Sequence, residues 1–148
     1  MADVEFEHAL RRHQMRVTRQ RLAILKALAG LGGHPSVRQV YQSARGRLAG
    51  LNLATVYRTL ETLQQAGLVD AFTAPAGVQR FAYRDPTHPH AHLLCLGCLQ
   101  VYELTPDSLA PLAERILQQS GFCVDLAHLT LTGMCASCRD GAEQGSVS

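Results

Sequence analysis

Two C-x-x-C pairs, Cys95 with Cys98 and Cys135 with Cys138, constrain this chain more than any other feature. A two-residue spacer lets both thiolates of a pair reach one ion from a single tight turn. Two such pairs complete a tetrahedral four-sulfur site with no position left for water. The competing reading is four cysteines buried only for packing, and such residues have no reason to fall in matched pairs. Between Cys98 and Cys135 lie 36 residues, more than the about 12 to 20 of a compact zinc ribbon. A folded unit therefore has to sit between the pairs, with a structural zinc stapling its two ends.

A chain of 148 residues has room for one compact domain or two small ones, and a structural metal compensates for a small core. No apolar run is long enough to span a bilayer, and the opening MADVEFEHALRR lacks the apolar core of a signal peptide. The expectation is a cytoplasmic protein without a membrane partner, where reduced thiols favour metal over disulfide. Cys123 is the odd cysteine and is expected to be buried, a redox role being the alternative. The net charge of +2 hides an asymmetry: residues 1–66 hold ten of the 14 Lys and Arg but four of the 12 acids, whereas residues 67–148 hold four and eight. A basic half joined to an acidic, ligand-rich half suggests that the first binds a polyanion.

In the basic half, a short helix near residues 6–14 precedes Thr18, an N-cap for a helix from Arg19 to about Ala29 that Gly30, Gly32 and Gly33 end. Ser36 caps a third helix. Asn52 caps a fourth, LATVYRTLETLQQA, which Gly67 stops. On that helix Leu53, Val56, Leu60 and Leu63 fall within about 80° of arc, a narrow core stripe. Arg58 lies opposite, flanked by Thr55, Thr59 and Thr62, with Tyr57 to one side. This face carries one acid, Glu61, and otherwise offers groups that donate to phosphates and base edges, as a recognition helix in a major groove does. An ordinary solvated helix would mix Glu and Lys. Strands over 68–72 and 79–83, joined by a turn through Pro75, Ala76 and Gly77, complete a winged helix-turn-helix. Arg11, Arg12, Arg16, Arg19 and Arg21 would follow the flanking backbone or reach a minor groove.

The second half reads as a strand from His90 through Leu94, the first cysteine pair, a strand over 99–104, a helix over 108–120, a strand over 122–132 and the second pair. The tail from Arg139 is small and polar and is expected to be flexible. The histidines need a separate explanation, because four thiolates already satisfy one zinc. His90 and His92, two apart, face the same way on a strand and can share an ion. Imidazoles with a carboxylate make a harder site than four thiolates and accept Fe(II), Mn(II) or Zn(II). Glu103 and Asp85 are the candidate oxygen ligands. His88, alone before Pro89, is as readily a solvent-facing residue.

The order of Arg16-Val17-Thr18, Arg21, His34, the run ATVYRTL, the His90-to-Cys98 run and Cys135-x2-Cys138 resembles the ferric uptake regulator (Fur) family of bacterial metal-responsive repressors, over roughly residues 8–138. The resemblance implies an α+β chain: a winged-helix DNA-binding domain over 1–84, a small α/β dimerisation and metal-binding domain over 85–139, and a tail over 140–148. It implies a homodimer on palindromic double-stranded DNA operators, repressing when a regulatory divalent metal is bound, with no small-molecule substrate and no enzymatic activity. Carried over residue by residue, it makes Cys95, Cys98, Cys135 and Cys138 the structural zinc ligands. His34, His90, His92 and Glu103 become the regulatory ligands, with Asp85 the substitute for a further family ligand after the wing. Tyr57 and Arg58 match DNA-contacting positions of the recognition helix, which Thr55 joins on the same face, and Arg16 matches a minor-groove contact.

The departures are informative. Many members carry a further metal site on residues alternating with the regulatory histidines; here those are Pro89 and Ala91, which cannot ligate, and the histidine of the last strand is displaced to His128. Two metal sites per chain are expected, not three. Peroxide-sensing members typically have Asp where this chain has Glu103, which weighs against peroxide sensing, the alternative within the family. A zinc-dependent enzyme is the rival from another class; no general base stands beside the histidines, and it would leave the basic half unexplained.

Overall fold

Side-chain caps set the helices of the first half. In the computed structural model, which describes residues 2–74, 77–87 and 89–144, α1 (Ala2–Arg12) is followed by α2 (Arg19–Leu31), α3 (Val37–Arg45) and α4 (Leu53–Gln65). Thr18 accepts from the Arg21 amide, Ser36 and Gln39 form a reciprocal capping box, and Asn52 accepts from the Thr55 amide. Each cap satisfies donors that a helix start leaves over. The first helix begins at Ala2, earlier than the sequence suggests. Asp3 and Glu5 suit the positive end of its dipole, and Asp3 pairs with Lys26 of α2 at 2.6 Å.

Phe6 and Leu10 of α1, Ile24, Leu25 and Leu28 of α2, Val40 of α3 and Val56, Leu60 and Leu63 of α4 close into one buried cluster. Gly67, at φ 83°, ends α4 in a left-handed conformation that favours glycine. The chain then enters an antiparallel hairpin, β1 (Val69–Thr73) and β2 (Gln79–Tyr83), with Val69 opposite Tyr83. Pro75 and Ala76 of the expected turn lie outside the described residues, as does His88. The helices and hairpin form a winged helix-turn-helix. The wing is stitched to the loop before α3, because the Phe81 amide donates to the Pro35 carbonyl at 3.0 Å.

The chain divides between Asp85 and Pro86 into two compact units. In the second, β3 (Ala91–Cys95) is the central strand, antiparallel to β4 (Val101–Leu104) and parallel to β5 (Thr130–Gly133). A parallel pair needs a crossover, here a 3-10 turn over Pro106–Leu109, α5 (Ala110–Ser120) and a second 3-10 turn over Leu126–His128; α6 (Ala136–Gln144) follows β5. This crossover is the folded unit that the cysteine spacing requires.

Four expectations change here. The strand expected over 122–132 is confined to Thr130–Gly133, because left-handed Gly121 ends α5 and Asp125 caps a 3-10 turn through the Ala127 amide. Cys123 consequently lies in an irregular segment and is exposed rather than buried. The segment from residue 140, expected to be flexible, is helical through Gln144; residues 145–148 lie outside the described residues. His128 ends the second 3-10 turn and so precedes β5 instead of lying in it.

Candidate metal centres and nucleic-acid interface

Strand β3 positions both clusters of potential ligands. It is central in its sheet, so Ala91, His92, Leu94 and Cys95 are all buried, and it places an imidazole and a thiol three residues apart on the unit's most enclosed element. The parallel register sets Cys95 beside Gly133, which delivers the start of the second cysteine pair to the same end of the sheet as the first.

At that end, the sulfurs of Cys95, Cys98, Cys135 and Cys138 lie within 4.8 Å of one another, and Cys98 Sγ is 3.9 Å from Cys135 Sγ. Four sulfurs at about 2.3 Å from a tetrahedral zinc would be about 3.8 Å apart. The turns are closed by the Leu99 amide donating to the Cys95 carbonyl at 3.0 Å and the Arg139 amide donating to the Cys135 carbonyl at 2.9 Å. Leu99 takes φ 63° to make the first of them, a left-handed conformation uncommon for a residue with a side chain. The electrostatics favour a cation. The Cys135 amide, at 3.3 Å, and then that of Cys98 hold the Cys95 thiol down at about 6. Hydrogen bonding from Cys135 and then Cys95 pushes Cys138 up to about 12. Four adjacent thiols cannot all ionise by themselves, and a divalent ion replaces the protons they would otherwise share. The donor set and geometry fit a structural zinc.

Sequence reasoning missed one residue of this cluster. Gly97 lies against the second pair so closely that an added Cβ would stand 2.9 Å from both Cβ and Sγ of Cys138 and 3.1 Å from Met134 Cε. A glycine inside a C-x-x-C spacer was the available signal.

The second cluster is His90, His92 and Glu103, whose ligand atoms also lie within 4.8 Å of one another. His92 and Glu103 are register partners across β3 and β4. His90, just ahead of β3, brings Nε2 to 3.5 Å from Glu103 Oε1, and its ring meets that of His92 edge-on, 4.7 Å between centroids. Two imidazoles and a carboxylate make a nitrogen and oxygen set suited to Fe(II), Mn(II) or Zn(II).

His34 and Asp85 belong to the first unit, both half-buried. His34 lies between α2 and α3, its ring 5.3 Å from that of Phe72 in the wing, and its carbonyl accepts from Arg80 at 3.4 Å. Arg84, which precedes Asp85, is held by Asp70 of β1 through Nε at 2.9 Å.

On α4, Val56, Leu60 and Leu63 are buried while Tyr57 and Arg58 are exposed and Thr55 and Thr59 half-buried. The burial follows the stripe that the sequence marks. Thr62 is turned inward on its own helix, its hydroxyl donating to the Arg58 carbonyl at 2.9 Å. Arg16 is exposed in the loop between α1 and α2. Arg21 contacts that loop, donating to the Arg16 carbonyl at 2.6 Å, a bond that spacing alone does not reveal.

The sequence model of the ferric uptake regulator family matches residues 12–132. The peroxide operon regulator of Bacillus subtilis is 29% identical over 124 residues, 84% of each chain. Among solved structures, the ferric uptake regulator from Pseudomonas aeruginosa with manganese superposes with a TM-score of 0.73 at 28% identity, covering 88% of this chain and 98% of that one. The Vibrio cholerae ferric uptake regulator, described with rearranged DNA-binding domains, gives 0.67 at 30% identity over 87% and 98%.

Proposed function

The chain belongs to the ferric uptake regulator family, and from that premise we propose that it is a homodimeric repressor that binds a palindromic double-stranded DNA operator when a regulatory divalent metal is bound, and so controls metal homeostasis. The observation that carries this reading is the His90, His92 and Glu103 cluster in a chain whose other half presents Tyr57 and Arg58 on an exposed helix face. His34 and Asp85 complete the regulatory ligand set. Because they belong to the unit that carries α4, an ion shared with the second unit's cluster favours one arrangement of the two. In a symmetric dimer, that arrangement spaces the α4 helices for successive major grooves. Thr55, Tyr57 and Arg58 contact the major groove and Arg16 the minor groove. Cys95, Cys98, Cys135 and Cys138 hold the structural zinc that stabilises the second unit.

Dimerisation is supported by the apolar surface of that unit. Helix α5 buries no residue, and Leu112, Leu117 and Phe122 are 45%, 48% and 64% exposed. Exposed apolar side chains of this size leave surface for a partner to cover. No helix among the described residues is long and apolar enough to cross a membrane, and we place the protein in the cytoplasm as a regulator rather than an enzyme. Peroxide sensing is the second reading, supported by the B. subtilis relative; Glu103 in the metal cluster weighs against it.

The test is binding of the zinc-loaded dimer to a palindromic duplex from its own promoter region, with Fe(II), Mn(II) or Zn(II) titrated anaerobically. An affinity gain with one metal supports the reading and identifies the signal. A metal-independent affinity would remove it.

A further inference from the structure

The chain leaves the wing through Arg84, and three hydrogen bonds tie that residue to the segment on which α4 ends. Its backbone amide donates to the Leu68 carbonyl at 2.9 Å, and the Leu68 amide donates in turn to the Leu63 carbonyl inside α4 at 2.9 Å. Its Nε donates to Asp70 Oδ1 at 2.9 Å, and Nη2 donates to the same oxygen. The remaining nitrogen, Nη1, lies against Gly67, where an added Cβ would stand 3.6 Å from it. We propose that Arg84, held by Asp70, is the positioning residue that transmits regulatory-metal binding to α4, because it fixes the direction in which the linker leaves the wing relative to that helix. The proposal rests on the metal-dependent DNA-binding reading and adds to it the pair that carries the coupling. Neither residue is one of the proposed ligands or DNA contacts.

The argument runs from the linker back to the helix. The two units divide one residue after Arg84, between Asp85 and Pro86. The proline ring fixes its own φ, and its Cδ confines Asp85 to extended backbone. A stiff dipeptide thus follows Arg84 directly, and the direction of the Arg84 backbone is passed on to it. That direction is well held. A planar guanidinium placing two N–H groups on one carboxylate fixes orientation as well as distance, which an ammonium on a flexible stem does not. The side chains of Arg84 and Asp70 are 31% and 17% exposed, so salt screens the pair less than it would a pair at the surface. Behind it, Tyr83 stands opposite Val69 and edge-on to Phe6, 5.2 Å between ring centroids, so α1 backs the end of β2. As a plain stabilising pair, Asp70 and Arg84 would strengthen the hairpin and do nothing else. Placed between the stop of α4 and the start of the linker, they also make the two move as one piece, and only this second role alters the coupling of metal to DNA.

The measurement is operator affinity of the zinc-loaded dimer with and without the regulatory metal, and affinity for that metal with and without operator, for wild type, R84Q, D70N and D70N/R84Q. The metal used is whichever of Fe(II), Mn(II) or Zn(II) gives the largest wild-type gain. R84Q and D70N should each cut the metal-induced gain in operator affinity by at least about threefold. The operator-induced gain in metal affinity should fall by the same factor, because coupling is reciprocal, while the free dimer binds the metal as tightly as wild type. The double variant should be no worse than R84Q, since both substitutions remove one interaction. D70N keeps the guanidinium and the Arg84 amide bond, which preserves the test if R84Q melts early. Equal losses of operator affinity with and without metal would leave the gain unchanged, assign the pair to stability alone and overturn the proposal, with the DNA-binding reading left standing. Weaker metal binding by the free R84Q dimer would assign Arg84 to placing Asp85 as a ligand and overturn it as well. Losses that add in the double variant would do the same, because Asp70 and Arg84 would then act apart. A wild type without any metal-induced gain would overturn both the proposal and the reading beneath it.

Discussion

His92 and Glu103 stand directly opposite one another across β3 and β4, the imidazole 1% exposed and the carboxylate side chain 59% exposed. One ligand is thus fixed by the sheet's core and the other reaches in from solvent. The cluster has a rigid side and an adaptable side, which suits a site that must fill and empty.

Replacing His90 with Ala should abolish the metal-induced gain in operator affinity and leave the structural zinc, the helical content and the dimer intact. His90 precedes β3 and is not among the buried core residues, so its loss removes a ligand without leaving a core cavity. Zinc content, circular dichroism and sedimentation check the second half of the expectation. Dissociation of the variant would count against separate regulatory and structural sites.

Gly97→Ala should weaken zinc retention, because its Cβ would meet Cys138 at 2.9 Å, closer than real contacts allow. Gly133→Ala is the control: a Cβ there meets nothing within 4 Å. Competition with a zinc chelator should show at least about a tenfold loss of affinity for G97A and little change for G133A. Equal retention by the two variants would refute the steric account.

Zinc binding at pH 7 should release fewer than four protons per chain, because Cys95, held at about 6, is already mostly a thiolate, whereas Cys138, at about 12, is not. Calorimetry in buffers of different ionisation enthalpy measures the number, and zinc affinity should rise with pH. For the metal-free protein, the Cys95 value lies below the ordinary 9.0. Its contribution to stability is therefore complete above pH 9 and lost as pH falls through about 6. The raised Cys138 value acts in the opposite sense, leaving stability untouched below pH 9 and eroding it as pH climbs toward 12. Release of no protons at pH 7 would contradict the thiol assignment.

Leu117→Glu should yield a zinc-loaded monomer. Leu117 is 48% exposed on α5, so a carboxylate there costs the single chain little but would be desolvated under a second copy. Sedimentation equilibrium at micromolar concentration decides it, and a variant as dimeric as the wild type would move the interface elsewhere.

Much of this was legible because local chemistry decided it. Thr18, Ser36 and Asn52 announced three helix starts, since a side-chain acceptor beside free amides acts over three residues and needs no tertiary context. The cysteine pairs were legible for the same reason. The stretch before β5 was misread as strand because Phe122, Val124, Leu126 and Leu129 look strand-like, while left-handed Gly121 and the cap from Asp125 decide otherwise. The burial of Cys123 failed with that strand. The glycine in the first spacer signalled a close approach without saying to what, and the bond from Arg21 to Arg16 gave no signal, because both depend on which surfaces the fold brings within a few ångströms.

The most direct test of the central claim is operator affinity measured with the structural zinc retained, with and without the regulatory metal, for wild type and H90A side by side. The account predicts a gain of at least about tenfold on metal addition, within the usual range of allosteric coupling, in wild type and none in H90A. Equal affinity of the wild type in metal-free and metal-loaded buffer would contradict it, because the histidine cluster would then not control DNA binding.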